Sequence, residues 1–283
     1  MLRRVFSGLP LALLLSPRLA TAQQWKLVWS DEFDQDGPPN PAKWDYEEGF
    51  VRNNEAQYYT RDRRENARVE NGFLVIEARK ERFANPRYDP SATTGQGSRQ
   101  FAEYTSASLT TRRKASWTFG RIEIRTKLPQ GRGIWPAFWT LGTSGGWPRG
   151  GEIDIMEYFA RNPDVVTANI HFSRQGEHAS AGGRVTVEKP FDDFHVYALE
   201  WFPDRLDFYC DQQKFYTFPL SEADDSNDNP FRHPQYLLMN LALGGSAGGP
   251  IDDSVFPQKY LVDYVRVYQQ ADAPPGAVRP EGR

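Results

Sequence analysis

The chain has 283 residues, with 34 Lys and Arg against 37 Asp and Glu, and its net charge of −3 is interspersed in sign. This excludes a basic face for nucleic acid and a polybasic membrane anchor, and it suits an uncharged partner. Cys210 is the only cysteine, so an internal disulfide is excluded and a core must hold the fold. Aromatic residues make up 14%, with 8 Trp, more than a core demands and well suited to the flat face of a sugar ring.

Residues 1–22 read as a secretory signal peptide. Arg3 and Arg4 precede an apolar run, broken from Ser7 to Pro10 and resumed from Leu11 to Leu15, and Ala20-Thr21-Ala22 offers a small-residue cleavage site. Neither this run nor any later one reaches the roughly 20 apolar residues of a membrane-spanning helix. The expectation is a secreted monomer, extracellular or periplasmic, with no membrane partner.

Beyond the signal the period is two. Strands are expected over Gly72–Arg79, Arg121–Leu128, His195–Trp201, Leu206–Cys210, Gln235–Leu243 and Tyr260–Tyr268. In the second of these, Ile122, Ile124 and Leu128 alternate with charged residues. Turn signals separate them at Glu70-Asn71-Gly72, Phe202-Pro203-Asp204, Asp211-Gln212-Gln213 and the glycines from Gly244 to Gly249. Asn85–Arg99 and Ser221–Pro230 read as long loops, and Phe73, Trp201 and Phe208 as core. No helical period persists over three turns. An antiparallel β-sandwich follows, as one domain over residues 23–270, with residues 271–283 as a disordered tail.

Residues 152–157 read Glu-Ile-Asp-Ile-Met-Glu, three carboxylates in six residues of an otherwise apolar strand. Burying unpaired carboxylates costs several kcal/mol, so a fold seldom carries three this way for structure alone. Glu152 and Asp154 share a face, whereas an unbroken strand would send Glu157 to the other. One extra residue, a β-bulge at Ile155-Met156, restores the phase. Two carboxyls over one bond are what a glycosidase uses, one as nucleophile and one as proton donor, with Asp154 between them to adjust proton affinity. These residues alone leave open which outer Glu does which. A magnesium or calcium site also uses clustered carboxylates but usually draws them from loops with Asn, Asp and Gly, and a solvated edge strand more often carries lysine; both remain alternatives to catalysis.

Gly150-Gly151-Glu152-Ile153-Asp154-Ile155-Met156-Glu157-Tyr158 resembles the signature of glycoside hydrolase family 16, in its laminarinase-like branch, which carries the extra residue before the second Glu. The likeness extends to Trp29-Ser30-Asp31-Glu32-Phe33, Asn53-Asn54-Glu55-Ala56-Gln57-Tyr58-Tyr59, Gly133-Ile134-Trp135-Pro136-Ala137-Phe138-Trp139, His171-Phe172, Met239–Gly245 and Asp263–Tyr268, in family order. It implies an all-β jelly-roll of two curved antiparallel sheets with a concave substrate cleft. It also implies retaining endo-hydrolysis of β-1,3-glucan, or of mixed-linkage β-1,3-1,4-glucan, with Glu152 as nucleophile and Glu157 as acid/base. Alternatives on the same fold are a galactan hydrolase of agarase or carrageenase type, a transglycosylase, and a non-catalytic β-glucan-binding protein; retention of all three acids argues against the last.

Trp135, Trp139 and Trp147 near the acids are candidate sugar platforms, although Trp139, with Phe138 and Leu141 nearby, is as readily core. Asn54 and Tyr58, from a polar cluster, are candidate hydroxyl partners, as is Arg132 in a glycine-flanked loop. His171 alone reads as a satisfied core histidine, and the resemblance moves it to the cleft together with Asn240. The resemblance also implies a structural Ca²⁺ at Glu32, Gly72 and Asp263, and no cofactor for catalysis.

Overall fold

The computed structural model describes residues 24–225 and 228–270, so the expected signal peptide and tail lie outside the described residues. The first strands are β1 (Trp25–Asp31), β2 (Asp45–Glu47), β3 (Tyr58–Tyr59), β4 (Ala67–Glu70), β5 (Phe73–Ala84) and β6 (Phe101–Ser106). Next come β7 (Ser108–Thr110), β8 (Gly120–Lys127), β9 (Ile134–Gly142), β10 (Glu152–Tyr158), β11 (Val165–Arg174) and β12 (Glu177–Thr186). The last are β13 (His195–Trp201), β14 (Arg205–Cys210), β15 (Gln213–Pro219), β16 (Gln235–Leu243) and β17 (Gln258–Gln270).

They form two sheets. The larger runs β15-β14-β13-β8-β17-β5-β6-β3, with β1 also on β17 and β4 also on β5. The smaller runs β12-β11-β10-β9-β16-β7-β2 and places the three carboxylates on β10 near its middle. The strand pairs are antiparallel except β3 with β6. The fold is the jelly-roll sandwich, whose crossovers bring strands distant in sequence side by side.

One hydrophobic core fills the space between the sheets. Ile122 and Ile124 of β8, Leu199 and Trp201 of β13, and Val265 and Val267 of β17 meet Ile153, Ile155 and Met156 of β10 there. Each fully buried side chain of this size contributes on the order of 1.5–3 kcal/mol. A smaller cluster of Ala137, Trp139, Tyr236 and Leu238 lies apart from it. Both β9 and β16 contribute to both clusters, so every position of β16 is buried and its sequence shows an apolar run instead of alternation.

Trp201 and Phe208 are core, but Phe73 is only partly buried and stacks on Phe194 at 5.1 Å between ring centroids. Asn85–Arg99 carries no strand and is tied by Asn85, whose Nδ2 donates to the carbonyls of Gln96 and Arg99. Ser221–Pro230 is partly regular: a 3₁₀ turn spans Leu220–Ala223. The glycines after β16 form a single helical turn, α1 (Gly245–Gly248).

The loop between β9 and β10 sits on a backbone contact that only glycine allows. Gly142 N–H donates to the Gly151 carbonyl at 3.1 Å, and a Cβ on Gly142 would lie 2.1 Å from the Gly150 carbonyl oxygen. Gly142→Ala therefore forces the loop away from β9, at a cost of about 1–3 kcal/mol. A lowered Tm with a matching loss of activity is expected; an unchanged melt would show that the loop absorbs the methyl freely.

Candidate active site

The phase of β10 breaks between Asp154 and Glu157. Against β11, Asp154 pairs with Asn169 and Glu157 with Thr167, so Ile155 and Met156 together oppose Ala168. Against β9 the register shifts between Asp154 and Met156. Ile155 and Met156 both enter the core, and Glu152, Asp154 and Glu157 all emerge on the opposite face. There they line an open cavity of about 560 Å³.

Neighbouring strands supply the donors. Glu157, 8% exposed, accepts from Trp135 Nε1 at 3.0 Å and from Asn169 Nδ2 at 2.5 Å. Glu152 accepts from Trp147 Nε1 at 2.6 Å. Asp154, 3% exposed, faces His171 Nε2 with its Oδ2 at 3.3 Å, and His171 Nδ1 lies 3.0 Å from His178 Nε2.

Burial dominates the proton affinities. It pushes Glu152 up to about 8, aided by the charge of Asp154 and opposed by His171 and the Trp147 N–H. Burial raises Asp154 well above the usual carboxylate range, helped by the charge of Glu157. Glu157 is also raised by burial, against the pull of its Asn169 and Trp135 donors. The three cannot all ionise together. Asp154 and Glu152 share one hydrogen bond, which raises Glu152 and pulls Asp154 back down, so the two titrate as a pair.

The structure gathers Trp135, Trp139, Trp147 and His171 around this cavity. Trp139 is held as a wall: its Nε1 donates to Asn240 Oδ1 at 2.8 Å, and the Arg52 guanidinium lies 4.8 Å from its ring centroid. Asn240 sits behind it, its Nδ2 donating to Tyr59 Oη at 2.9 Å, so both ends of its amide serve the protein instead of a ligand. Asn54 is displaced by one position. It is exposed and lines a neighbouring cavity between residues 50–55 and 93–99, while Arg52 and Asn53 reach the carboxylates' cavity. Tyr58 is not a cleft residue: its ring is 1% exposed and packs against Phe50 and Phe83, because residues on a strand alternate and Tyr59 takes the inward direction. Arg132 is exposed and does not line the cavity; its carbonyl accepts from Asp252 N–H at 3.0 Å, and its charge acts on the Asp252 carboxylate. Arg52, Asn169 and His178 were not singled out as site residues from the sequence. Asn169 was legible as the residue two before His171 on one face, and Arg52 only through tertiary stacking.

Glu32, Gly72 and Asp263 converge in register. β17 pairs with β1 up to Asp31↔Val265 and with β5 from Val262↔Leu74, so Asp263 lies where the end of β1 meets the start of β5. The Glu32 carboxylate is paired with Arg266, at 2.7 Å, and that of Asp263 with Arg125. A cation there would therefore rely on carbonyl oxygens or displace an arginine.

Asp154→Asn tests the cost of this burial. For a carboxyl raised on folding, the contribution to stability is full below its unfolded value and is lost as pH climbs towards its folded value, at up to about 1.4 kcal/mol per pH unit. The variant removes one such carboxyl, so its Tm should exceed the wild type's at pH 7 and match it near pH 4. Equal melting at both pH values would show that Asp154 is not held protonated.

Residues 54–266 match the family model for glycosyl hydrolases family 16. The chain is 45% identical to a beta-glucanase of Rhodothermus marinus over 274 residues, covering 91% of this chain and 90% of the relative. It resembles the solved laminarinase of Rhodothermus marinus with a TM-score of 0.77 at 45% identity, over 88% of this chain and 99% of that one. It resembles an endo-acting O-glycanase of the human gut microbiota, from a study of mucin breakdown, with a TM-score of 0.84 at 40% identity, over 91% and 96%.

Proposed function

The chain belongs to glycosyl hydrolases family 16 and is a β-glucan hydrolase, and on that footing we propose that it is a secreted, monomeric endo-β-1,3-glucanase that retains anomeric configuration and accepts mixed-linkage β-1,3-1,4-glucan second. The observation that carries this reading is the bulge, which turns Glu152 and Glu157 into one cavity in different settings. Glu152 has a single indole donor and the less buried position, which suits the anion that attacks the anomeric carbon. Glu157, raised by burial, keeps the proton that passes to the leaving glycosidic oxygen. The sugar is then esterified to Glu152; the Glu157 carboxylate takes a proton from water, water attacks the anomeric carbon, and Glu152 leaves as carboxylate. Asp154, between them, adjusts the proton affinity of Glu152.

The better superposition on the gut O-glycanase favours one second reading, cleavage within a mucin-type glycan. A panel of laminarin, lichenan, curdlan, agarose, κ-carrageenan and mucin separates the two. Laminarin is expected to be cleaved fastest, with the β-anomer of the product appearing first by NMR. Glu152→Gln should lose activity by at least about 10³-fold, because the covalent route is gone. Release of sugar from mucin or agarose but not laminarin would overturn the glucanase reading, and initial α-anomer would overturn retention.

We also propose that Ca²⁺ binds beside Asp263 and stabilises the fold without a part in catalysis. Chelation should then lower Tm while leaving the rate at 25 °C unchanged. Metal analysis that finds no calcium after dialysis, with a melt indifferent to chelator, would refute it.

A further inference from the structure

The carboxylates' cavity has a second property that hydrolysis does not use. Asp154 Oδ2 is buried without a hydrogen-bond partner, and His171 Nε2 lies 3.3 Å from it. One oxygen of Glu152, one of Asp154 and a ring nitrogen of His171 all lie within 4.8 Å of one another. Two ligands on a tetrahedral Zn²⁺, each about 2.0–2.1 Å from the ion, stand about 3.3 Å apart. The Asp154 to His171 spacing already has that value.

The second ring nitrogen of His171 is held as well. Its Nδ1 faces His178 Nε2 at 3.0 Å, and a proton donated along that contact leaves Nε2 as a lone pair aimed at Asp154. Two acceptors then face each other, an arrangement that either a proton or a cation must resolve. Arg52 is the cationic side chain lining this cavity, and its charge is engaged by Glu47. The field at the three acids is thus open to a positive ion.

We propose that Glu152, Asp154 and His171 form a binding site for a divalent transition metal of the Zn²⁺ class, and that the ion inhibits the enzyme by occupying its nucleophile. His178 is the positioning residue that sets the His171 tautomer. The two-carboxylate, one-imidazole set with a position left for water suits Zn²⁺ and, more strongly, Cu²⁺; Mg²⁺ and Ca²⁺, which prefer oxygen ligands alone, should bind poorly. The inhibition is competitive with polysaccharide, because sugar and ion need the same carboxylate.

The test uses tag-free, chelator-treated enzyme, titrated with ZnCl₂ by calorimetry and assayed on laminarin over a range of Zn²⁺. One Zn²⁺ per chain at this site is expected, with inhibition relieved by added laminarin and no comparable effect of Mg²⁺. His171→Asn and Asp154→Asn, each checked for an intact melt, should weaken Zn²⁺ at least tenfold, and His178→Phe by a smaller factor. Among the described residues one other cluster, His195 with Cys210 and Asp211, could take the ion. Binding that survives His171→Asn and disappears in His195→Asn would overturn the proposal, as would the absence of binding or inhibition that laminarin does not relieve. The calorimetric arm stands apart from the glucanase reading: an enzyme inactive on laminarin still binds or does not bind Zn²⁺.

Discussion

A strand gives each face every second residue, and β10 has to give one face three carboxylates drawn from six positions. Parity forbids it unless the strand carries one residue too many. The extra residue is not idle, since Ile155 and Met156 both pack into the core where a regular strand would send one. The bulge is anchored from the apolar side, and the carboxylate side inherits its geometry. Both neighbours yield to it: the pairings with β9 and with β11 shift at the same place. A bulge gripped from three sides is a fixed feature of the sheet, which is what a pair of reacting groups requires.

Concentrating acid on one face has an electrostatic cost, and the surrounding strands answer it unevenly. β9 sends Trp135 to Glu157, β11 sends Asn169 to Glu157 and His171 to Asp154, and the loop before β10 sends Trp147 to Glu152. Neutral indole and amide donors dominate. A lysine or arginine in contact would instead lower the proton affinity of the carboxyl it touched. Burial at this site therefore raises the proton affinity of all three carboxyls. That is the opposite of the arrangement on the larger sheet, where Glu77, buried among strands, is met by both Arg68 and Arg79.

The same contrast explains what the sequence disclosed. Period-two alternation disclosed β8, β13 and β17, but not β12, whose Ala, Gly and Ser carry no apolar signal. The carboxylate motif announced the bulge because strand parity is a local rule that one chain segment can violate visibly. Positions that depend on tertiary approach were not legible: Tyr58 and Tyr59 differ by one residue, and only the parallel pairing of β3 with β6 decides which faces Asn240. Asn54 and Asn53 differ by one residue too, in a turn where both have left-handed backbones and no period exists to separate them.

Three tryptophans stand around the acids, and composition alone treats them alike. Their faces differ. Trp139 is covered by the Arg52 guanidinium, and its N–H is taken by Asn240. Trp135 leans on Phe159 with 5.3 Å between centroids and commits its N–H to Glu157. Trp147 is 58% exposed, seated on His178 at 4.7 Å, while its N–H holds Glu152. It is thus the ring with an open face, while its edge holds the Glu152 carboxyl. Face and edge belong to one rigid indole, so anything that tilts Trp147 also changes the hydrogen bond its N–H gives to Glu152.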